Sequence, residues 1–487
     1  MFLMRPLIES RYKVISMVTK LFSLTVLLLL NVVAFASPTT YLPVGSDGHL
    51  ERQIDHLFVL TRGTPMRKPY AIKEIELALQ EIKQSTPLLY QSITEQLDRY
   101  QGNSIISRVS LTTRASFDKD SLIANQRGLN SDEYLQTLVE AVWRPNENSL
   151  VQAGLDYRVS SGEVIPYNTF AAYSLGNIQL DLGYREHWYS PFKHSAQLIS
   201  TNAQLGPSIS LSTILPIENW WNISFDLFYT RLDKVENGIS FQREWYDGRP
   251  HLIGTHLSFE PVDGWKVGFN RLMQFGGGPR EVSFGDIVNA FFDPATNDNA
   301  YNQDERDAEL GDQLASITTS YKFDTNLPIE IYAEIAGEDT QGGSNLSFGN
   351  QATNAGIFLP QLYDNFAVRY EYNRWKTLWY INHLYANGNT NKGRVFGHYG
   401  GDQRTFGHGV PAEVHKASVD YFESLNSSWS ASVATLNNSD KAQYDKAYEF
   451  QLENRRVWQG KHVDSKLTFG KSVFSEKYGQ LSVTVSW

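Results

Sequence analysis

The last nine residues, GQLSVTVSW (479–487), alternate apolar and polar side chains without interruption. The apolar set is Leu481, Val483, Val485 and Trp487, and the polar set is Gln480, Ser482, Thr484 and Ser486. A period of two places each set on its own face of an extended chain. The stretch therefore predicts a β-strand whose two faces meet different surroundings.

The same period recurs along the chain from residue 105 onward. It marks segments of about ten residues, the length with which a tilted strand crosses a bilayer. We predict eighteen strands, near 105–117, 135–144, 149–159, 168–175, 178–187, 208–215, 222–232, 251–260, 265–275, 313–323, 329–338, 365–373, 376–386, 415–423, 427–436, 446–454, 461–471 and 479–487.

The connections between these segments alternate in length. The long ones are 118–134, 188–207, 233–250, 276–312, 339–364 and 387–414, and the short ones are 144–147, 175–177, 261–264, 324–328, 374–375 and 424–426. Long loops at one end and tight turns at the other are typical of outer-membrane barrels. The predicted fold is all-β, a transmembrane antiparallel β-barrel of about 18 strands that carries a small N-terminal periplasmic α-helical bundle.

Tryptophans support this orientation. Seven of the eleven lie beside predicted short turns or at the C-terminus: Trp143, Trp220, Trp221, Trp265, Trp375, Trp458 and Trp487. A ring of aromatic residues at the membrane interface has this arrangement. On this basis Leu481, Val483 and Val485 face lipid, and the serines and threonine between them face the lumen.

The N-terminal part of the chain has a different pattern. Basic residues precede the apolar run 21–36, which ends in Ala34-Phe35-Ala36, so residues 1–36 are predicted to be a secretory signal peptide. Residues 45–100 show helical spacing of apolar residues and predict a periplasmic unit of about three short helices. The barrel would occupy 105–487.

Composition excludes several classes of function. The net charge of −10 and the lack of a basic stripe argue against nucleic-acid binding. With no cysteine, the chain has neither disulfides nor thiolate metal sites. Histidines show no HExxH spacing and no G-x-S-x-G motif is present, so we predict no enzyme and no cofactor. The acidic loop 293–312 lacks the ordered spacing of a calcium loop, so no metal is predicted.

Charged residues at lumen-facing positions leave two alternatives open. They are Asp181, Arg185, Glu330, Glu334, Arg369 and Glu371. Opposed charges can form a transverse field in an open channel, or a network of ion pairs that holds the interior closed. The N-terminal helical unit can dock under the barrel and favours the closed form.

Four stretches carry a resemblance to a known family: GYREHWYSPF (183–192) with LISTNAQ (198–204); QFGGGP (274–279); YAEIAGED (332–339); and INHLYANG (381–388) with GHYGGDQR (397–404). Together they resemble the Wzi family of capsule-assembly outer-membrane proteins. The resemblance implies an eighteen-stranded barrel with a periplasmic helical bundle. It also implies a lectin-like role, in which secreted capsular polysaccharide is attached to the surface of a Gram-negative cell.

The long loops contain the residue types that sugar recognition needs. Aromatic faces stack on sugar rings, and arginine, carboxylate and amide groups bind hydroxyls and acidic substituents. The polysaccharide-binding candidates are Trp188, Tyr189, Lys193, His194, Lys392, Arg394, His398, Tyr399, Asp402 and Arg404. The alternative is that the motif residues are structural and pin the loops over the barrel mouth.

The predicted partners are therefore capsular or extracellular polysaccharide and outer-membrane lipid. Two other functions compete with polysaccharide attachment. The first is an outer-membrane diffusion channel (porin) for sugars or anions. The second is an assembly factor that contacts the polysaccharide export machinery through its helices.

Overall fold

The computed structural model describes residues 37–101, 105–117, 127–128, 133–292, 309–338, 340–341, 344–363, 365–424, 426–438 and 443–487. The predicted signal peptide, 1–36, and most of the acidic loop 293–312 lie outside these ranges. Among the helices within them, none is long and apolar enough to cross a membrane.

Eighteen antiparallel strands close into a single barrel. Numbered in chain order they are β1 (Ile106–Phe117), β2 (Leu135–Asn146), β3 (Ser149–Arg158), β4 (Val164–Pro166 and Thr169–Leu175), β5 (Ile178–Tyr184), β6 (Ser208–Thr213), β7 (Ser224–Arg231), β8 (His251–Val262), β9 (Trp265–Phe275), β10 (Gly311–Phe323), β11 (Ile329–Gly337), β12 (Ala352–Tyr363), β13 (Phe366–Trp375), β14 (Ala412–Ser424), β15 (Ser427–Asn437), β16 (Ala447–Trp458), β17 (Lys461–Lys471) and β18 (Lys477–Ser486). The last strand closes on the first, with Val483 opposite Thr113. The predicted fold class and strand number are confirmed.

The C-terminal strand β18 alternates as its sequence predicts. Leu481 and Trp487 are 52% and 56% exposed on the outside, whereas Ser482 and Ser486 are 8% and 1% exposed towards the lumen. Closure of the barrel satisfies the backbone hydrogen-bonding groups of every strand, which an apolar solvent would otherwise leave unpaired. The wall is thus apolar outside and polar inside.

The connections are sorted by length between the two ends of the barrel. We call the end with the long connections 185–207, 232–250, 276–310 and 376–411 the loop side. The opposite end, with connections such as 176–177, 263–264 and 459–460, is the turn side.

One predicted strand is wrong and one strand was missed, and the two errors cancel in the count. Residues 376–386 form no barrel strand but begin the long connection after β13, and β12 occupies 352–363, which sequence analysis assigned to a loop. Pro360 lies where the pairing of β12 with β13 is irregular, between Leu359 and Tyr363. Proline cannot donate a backbone hydrogen bond to a neighbouring strand and is tolerated at such irregular sites. Its presence argued against a strand here, so the strand was missed. The predicted turn at 374–375 is therefore also absent.

Of the seven tryptophans predicted for the turn-side ring, all but one lie at the turn side. Exposed indoles lie near the turns or the C-terminus at Trp143, Trp220, Trp221, Trp265, Trp458 and Trp487. Trp375 is buried at the loop-side end of β13 and packs inside the mouth. Its assignment to the turn-side ring is wrong because it depended on the displaced strand.

Three helices precede the barrel: α1 (Gly48–Leu60), α2 (Ile72–Ile82) and α3 (Pro87–Gln101). Their apolar faces form one cluster with the inward residues Val142, Leu150 and Phe170 of β2, β3 and β4. A helical unit this small buries little by itself, so its packing against the inner wall supplies the rest of its core.

Asp47 joins the helical unit to the barrel. Its carboxylate accepts a hydrogen bond from the backbone N–H of Leu50, 3.1 Å away, and so caps α1. It also pairs with Arg455 of β16 and, at 2.9 Å, with Arg99 of α3. Burial opposes ionisation of this carboxyl, but the guanidinium groups of Arg455, Arg108 and Arg99 hold its pKa well below the usual range.

Candidate functional site

Two long connections, 185–207 and 376–411, fold inward and fill the loop side of the barrel. Their residues share one apolar cluster with inward side chains of the wall, centred on Trp375, Trp379 and Tyr380. The Tyr380 hydroxyl donates to the carbonyl of Gln197 at 2.6 Å and accepts from the backbone N–H of His398 at 2.8 Å. The two connections thus form a packed plug.

The aromatic candidates of the first connection are buried in this plug. Trp188 has no exposed surface, and the Lys68 ammonium lies 4.7 Å from its ring centroid. Tyr189 is equally buried and donates to Asp226 of β7 at 2.7 Å. Both rings are packing elements in this conformation, so the structure does not bring them to a surface where a sugar could stack.

Lys193 and His194 also point inward. The Lys193 ammonium lies 3.0 Å from the carboxylate of Asp55 on α1. Burial lowers the pKa of His194 well below its ordinary value, helped by the nearby cations Lys416 and Arg369. Lys193 thus connects the loop-side plug to the helical unit.

Of the binding candidates in the second connection, His398 and Tyr399 are buried and only Lys392 is well exposed. His398 Nδ1 accepts a hydrogen bond from the Gly400 backbone at 3.1 Å. Asp402 accepts from the Val395 backbone at 2.9 Å and from the Asn202 amide at 2.9 Å.

Two half-buried arginines fasten the same connection. Arg394 lies 3.4 Å from Asp402, and Arg404 donates to the carbonyl of Trp379 at 2.8 Å. This hydrogen-bonding pattern matches the structural alternative for most of the loop motif.

Glu330 and Arg369 of the lumen set contact the N-terminal unit. Glu330 accepts hydrogen bonds from the backbone and hydroxyl of Thr64, at 2.9 and 2.6 Å. Arg369 donates to Asp55 at 2.9 Å. Charges on the inner wall are therefore paired with groups of the segment that precedes the barrel.

Glu371 and Glu334 contact the loop-side plug. Glu371 accepts from the backbone N–H groups of Lys193 and His194, at 2.8 and 3.1 Å. Glu334 accepts from the hydroxyl of Ser190 at 3.4 Å.

Asp181 and Arg185 pair with each other and with β7. Arg185 lies 3.0 Å from Asp181 and also bonds Asp226. All six residues of the lumen set are buried and carry such contacts. They hold helices, loops and wall together.

A groove remains open at the loop side, beside the plug. Its larger part has a volume of about 840 Å³ and its smaller part about 290 Å³. Both parts share Asp233, Arg249 and Lys392, so they adjoin. The larger part is lined by five basic residues, Arg127, Arg158, Arg231, Arg249 and Lys392, and three acidic residues, Glu133, Glu163 and Asp233.

Several of the groove's cations are exposed. Arg231, Arg249 and Lys392 are exposed, and the Lys392 ammonium lies 3.1 Å from the amide oxygen of Gln204. By contrast Arg127 is bound to Glu186 and Arg158 is buried. Exposed guanidinium groups offer planar, bidentate donors to carboxylates and phosphates. The groove is thus suited to an anionic ligand.

Of the predicted polysaccharide-binding residues, only Lys392 lies in this groove. Arg231 and Arg249 were missed because they flank a connection that contained no motif residue. The sequence contains one indication of the groove, because Arg158 and Arg231 are the last residues of β3 and β7 at the loop side. Their proximity in the groove depends on the curvature of the barrel and on how the loops fold, and the alternation of apolar and polar residues specifies neither.

Comparisons with known proteins agree with this architecture. The model of a family described as "Capsule assembly protein Wzi" matches residues 98–417. A 55.8-kDa protein of the cps region of Klebsiella pneumoniae is 25% identical over 292 residues, which cover 56% of this chain and 53% of that protein. The chain thus spans about half the length of this curated relative.

Among solved structures, an Escherichia coli outer-membrane protein, Wzi, is similar in fold. It is described as a carbohydrate-binding β-barrel involved in group 1 capsule assembly. It aligns with 93% of this chain and 99% of its own, at a TM-score of 0.71 and 15% identity. OccK11 (OpdR) of Pseudomonas aeruginosa aligns with 79% of this chain and 97% of its own, at a TM-score of 0.44 and 11% identity.

Proposed function

This chain belongs to the Wzi family of capsule assembly proteins, and we propose that it attaches capsular or extracellular polysaccharide to the cell surface as an outer-membrane, lectin-like protein. The helical unit would lie in the periplasm and the loop side would face the medium. The role is non-enzymatic: the chain would bind polymer and support capsule assembly without breaking or forming bonds.

The filled lumen supports binding over diffusion. A porin needs a water-filled passage, whereas the wall charges of this barrel are bonded to inserted segments from both ends. Asp55 pairs with Arg369 and Lys193, and Glu371 accepts from the backbone of the loop-side plug. Since each such bond would have to break before solutes could pass, the diffusion channel is the weaker hypothesis.

The groove at the loop side carries the proposal. It lies on the face expected to meet exported polymer, and its exposed Arg231, Arg249 and Lys392 favour a polysaccharide with carboxylate or other acidic substituents. The polar residues Asn387 and Thr390 line its smaller part and can bind sugar hydroxyls. The buried candidates Trp188, Tyr189, His398 and Tyr399 would hold the loop-side plug together rather than contact the polymer.

Binding of purified protein to the producer's own polysaccharide tests the proposal. We expect affinity that falls as salt rises, because exposed charges are screened, and that falls strongly in the double variant Arg231→Glu/Arg249→Glu. Lys477→Glu is the matched control, an exposed lysine at the loop side outside the groove. Equal affinity of both variants and wild type would place the site elsewhere, and no affinity in wild type would reject the function.

Contact with the export machinery is a further proposal, supported by α2. This helix buries Ile75 and Leu79 and leaves Gln80 and Glu81 exposed. Photo-crosslinking from Gln80 in cells that produce capsule should capture an export component, with Ser161 at the loop side as control. Capture of the same proteins from both positions, or of none, would contradict it.

A further inference from the structure

The connection between β9 and β10 contains a helix that sequence analysis missed, α4 (Phe284–Phe292). Backbone hydrogen-bonding groups at both ends of the helix have partners. Ser283 and Asp286 bond each other at the start, the Asp286 N–H to the Ser283 hydroxyl at 3.2 Å and the Ser283 N–H to the Asp286 carboxylate at 2.9 Å. Arg271 donates to the final carbonyls, of Ala290 at 3.0 Å and Phe291 at 2.6 Å.

Helix α4 lies against the outside of the barrel wall. Its Ala290, with Ile287 and Phe291 beside it, packs on Met273 and Phe275 of β9. Those two residues alternate with the inward Leu272 and Gln274, so they share the outward face with Phe269. The helix therefore covers a patch of the same surface that elsewhere carries the exposed apolar residues.

Strand register places α4 below the upper edge of the apolar wall. A strand rises about 3.3 Å per residue and tilts by about 40°, so Arg271 lies roughly 15 Å above Trp265 at the turn side, and Phe275 roughly 25 Å above it. The apolar band of such barrels is about 25 Å tall. The C-terminus of α4 meets Arg271 and so lies within the band.

The position of Arg271 explains why a helix lies there. An arginine on the lipid face is destabilising, most of all near the bilayer midplane. Here the guanidinium is bonded to the helix C-terminus and to Gln313, and lies 5.2 Å from the Phe291 ring centroid. The partial negative charge at the end of a helix favours a cation. The helix thus shields the charged Arg271 from the apolar surroundings of the outer wall.

A second edge of α4, which flanks the face packed on the wall, is apolar as well. Phe284, Val288 and Phe292 are spaced by four residues and share one edge, and the two phenylalanines are 80% and 63% exposed. Asp286 and Asn289 occupy a separate polar face. A helix that merely covered the wall would have no need of a second apolar edge.

We propose that α4 is an interfacial anchor whose Phe284, Val288 and Phe292 edge inserts among the acyl chains of the outer leaflet. Continuity with the outward apolar wall favours lipid over polysaccharide, which would meet the charged loop side. The inference needs only the barrel's position in a membrane and is independent of polysaccharide binding. Phe292 lies deeper, near Arg271, and Phe284 lies nearer the head groups.

The absence of cysteine permits a direct test. Single cysteines at Phe292→Cys and Phe284→Cys, labelled with a polarity-sensitive fluorophore, are placed in phospholipid vesicles that contain acyl-chain spin labels. Phe269→Cys on the exposed wall is the lipid control, and Ser161→Cys in the exposed β3–β4 connection is the aqueous control.

We expect spin labels to quench position 292 as strongly as position 269 and several-fold more than position 161. Position 284 should respond best to labels near the head groups. Quenching of 292 by aqueous iodide, at the level of 161, would overturn the proposal. Protection from both quenchers, with energy transfer between labelled molecules, would also overturn it by showing a second copy of the chain on the helix.

Discussion

Val483 and Ser482 are neighbours in the chain that meet opposite sides of the barrel wall. Val483 faces outward, and Ser482 is buried in the lumen between Arg114 of β1 and Lys466 of β17, its partners in register. Val483 meets the apolar surroundings of the outer wall, whereas Ser482 lies next to two cations. Introducing a charged side chain should therefore have different costs at the two positions.

Val483→Arg should impair assembly, because a basic side chain on the lipid face costs roughly 2–4 kcal/mol near the midplane. Ser482→Glu is the matched control, since a carboxylate there gains two nearby cations. The folded fraction, read from heat-modifiable mobility on gels, distinguishes them. Equal losses in both variants would contradict the assignment of faces.

Asp55 shows how burial changes the effect that breaking an ion pair has on stability. It lies 2.9 Å from Arg369 and 3.0 Å from Lys193, and the Tyr70 hydroxyl donates to it at 2.8 Å. Asp55→Asn leaves two buried cations without their counter-charge and should cost about 3–5 kcal/mol.

Asp247→Asn is the control for Asp55→Asn, because Asp247 makes an exposed pair with Lys234 at 2.8 Å. Such surface pairs contribute little to stability, because water and salt screen them. Equilibrium unfolding in urea, with the protein in lipid vesicles, measures both variants. A cost for Asp55→Asn no greater than for Asp247→Asn would mean that this buried pairing adds nothing to barrel stability.

At the scale of elements, the connection 376–411 depends on neutral histidine. Burial lowers the pKa of His398 to about 3, with Lys416 adding to the effect. In the unfolded connection the His398 imidazole takes up a proton at a pH near 6.5, whereas in the folded connection it does not. Stability of the connection therefore falls as pH drops from about 6.5 to about 3, by about 1.4 kcal/mol per pH unit for this one group.

His398→Asn should reduce that pH dependence, because asparagine keeps an acceptor for the Gly400 N–H and never becomes charged. Limited proteolysis of 376–411 at pH 7 and pH 5 reports the change. Wild type should be cut faster at pH 5, and the variant should show a smaller difference. An unchanged ratio would assign the pH effect to other groups.

The helical unit is the other element that closes the barrel. Deleting residues 45–100 removes Asp47, Asp55 and Thr64, which bond Arg455, Arg369 and Glu330 of the wall. We expect the remaining barrel to conduct ions in planar bilayers, whereas the full chain conducts little. Conductance that is large in both forms would revive the diffusion-channel hypothesis.

Period-two patterning predicts most elements of this fold, because each strand separates an apolar from a polar environment. It fails at β12, where Pro360 and small residues weaken the alternation, and at 376–386, where a packed connection imitates it. It also misses α4, whose Phe284 and Phe292 sit in a connection assigned as a loop. Those errors concern segments whose conformation depends on the surface they pack against.

The candidate site was less predictable than the fold. Motif residues such as Trp188 and His398 have the chemistry of sugar binding, but the folded loops place them inside the plug. Arg231 and Arg249 lie in no motif, and folding alone brings them beside Lys392. A side chain's accessibility is a property of the whole barrel, which local sequence does not encode.

At the scale of the whole molecule, the barrel separates three surroundings. The turn side and helices face one compartment, the outward wall faces the apolar band, and the basic groove opens at the loop side. A chain with a net charge of −10 nevertheless exposes a group of cations in that groove. Local charge rather than net charge would then select an acidic polymer.

The most direct test of polysaccharide attachment compares cell-bound with released polysaccharide in one culture. The gene is deleted and restored as wild type, as Arg231→Glu/Arg249→Glu, or as Lys477→Glu. We predict unchanged total polysaccharide, release of most of it in the deletion and the double variant, and retention in wild type and Lys477→Glu. An unchanged partition in the deletion strain would contradict the attachment function, and full retention by the double variant would contradict the role of the groove.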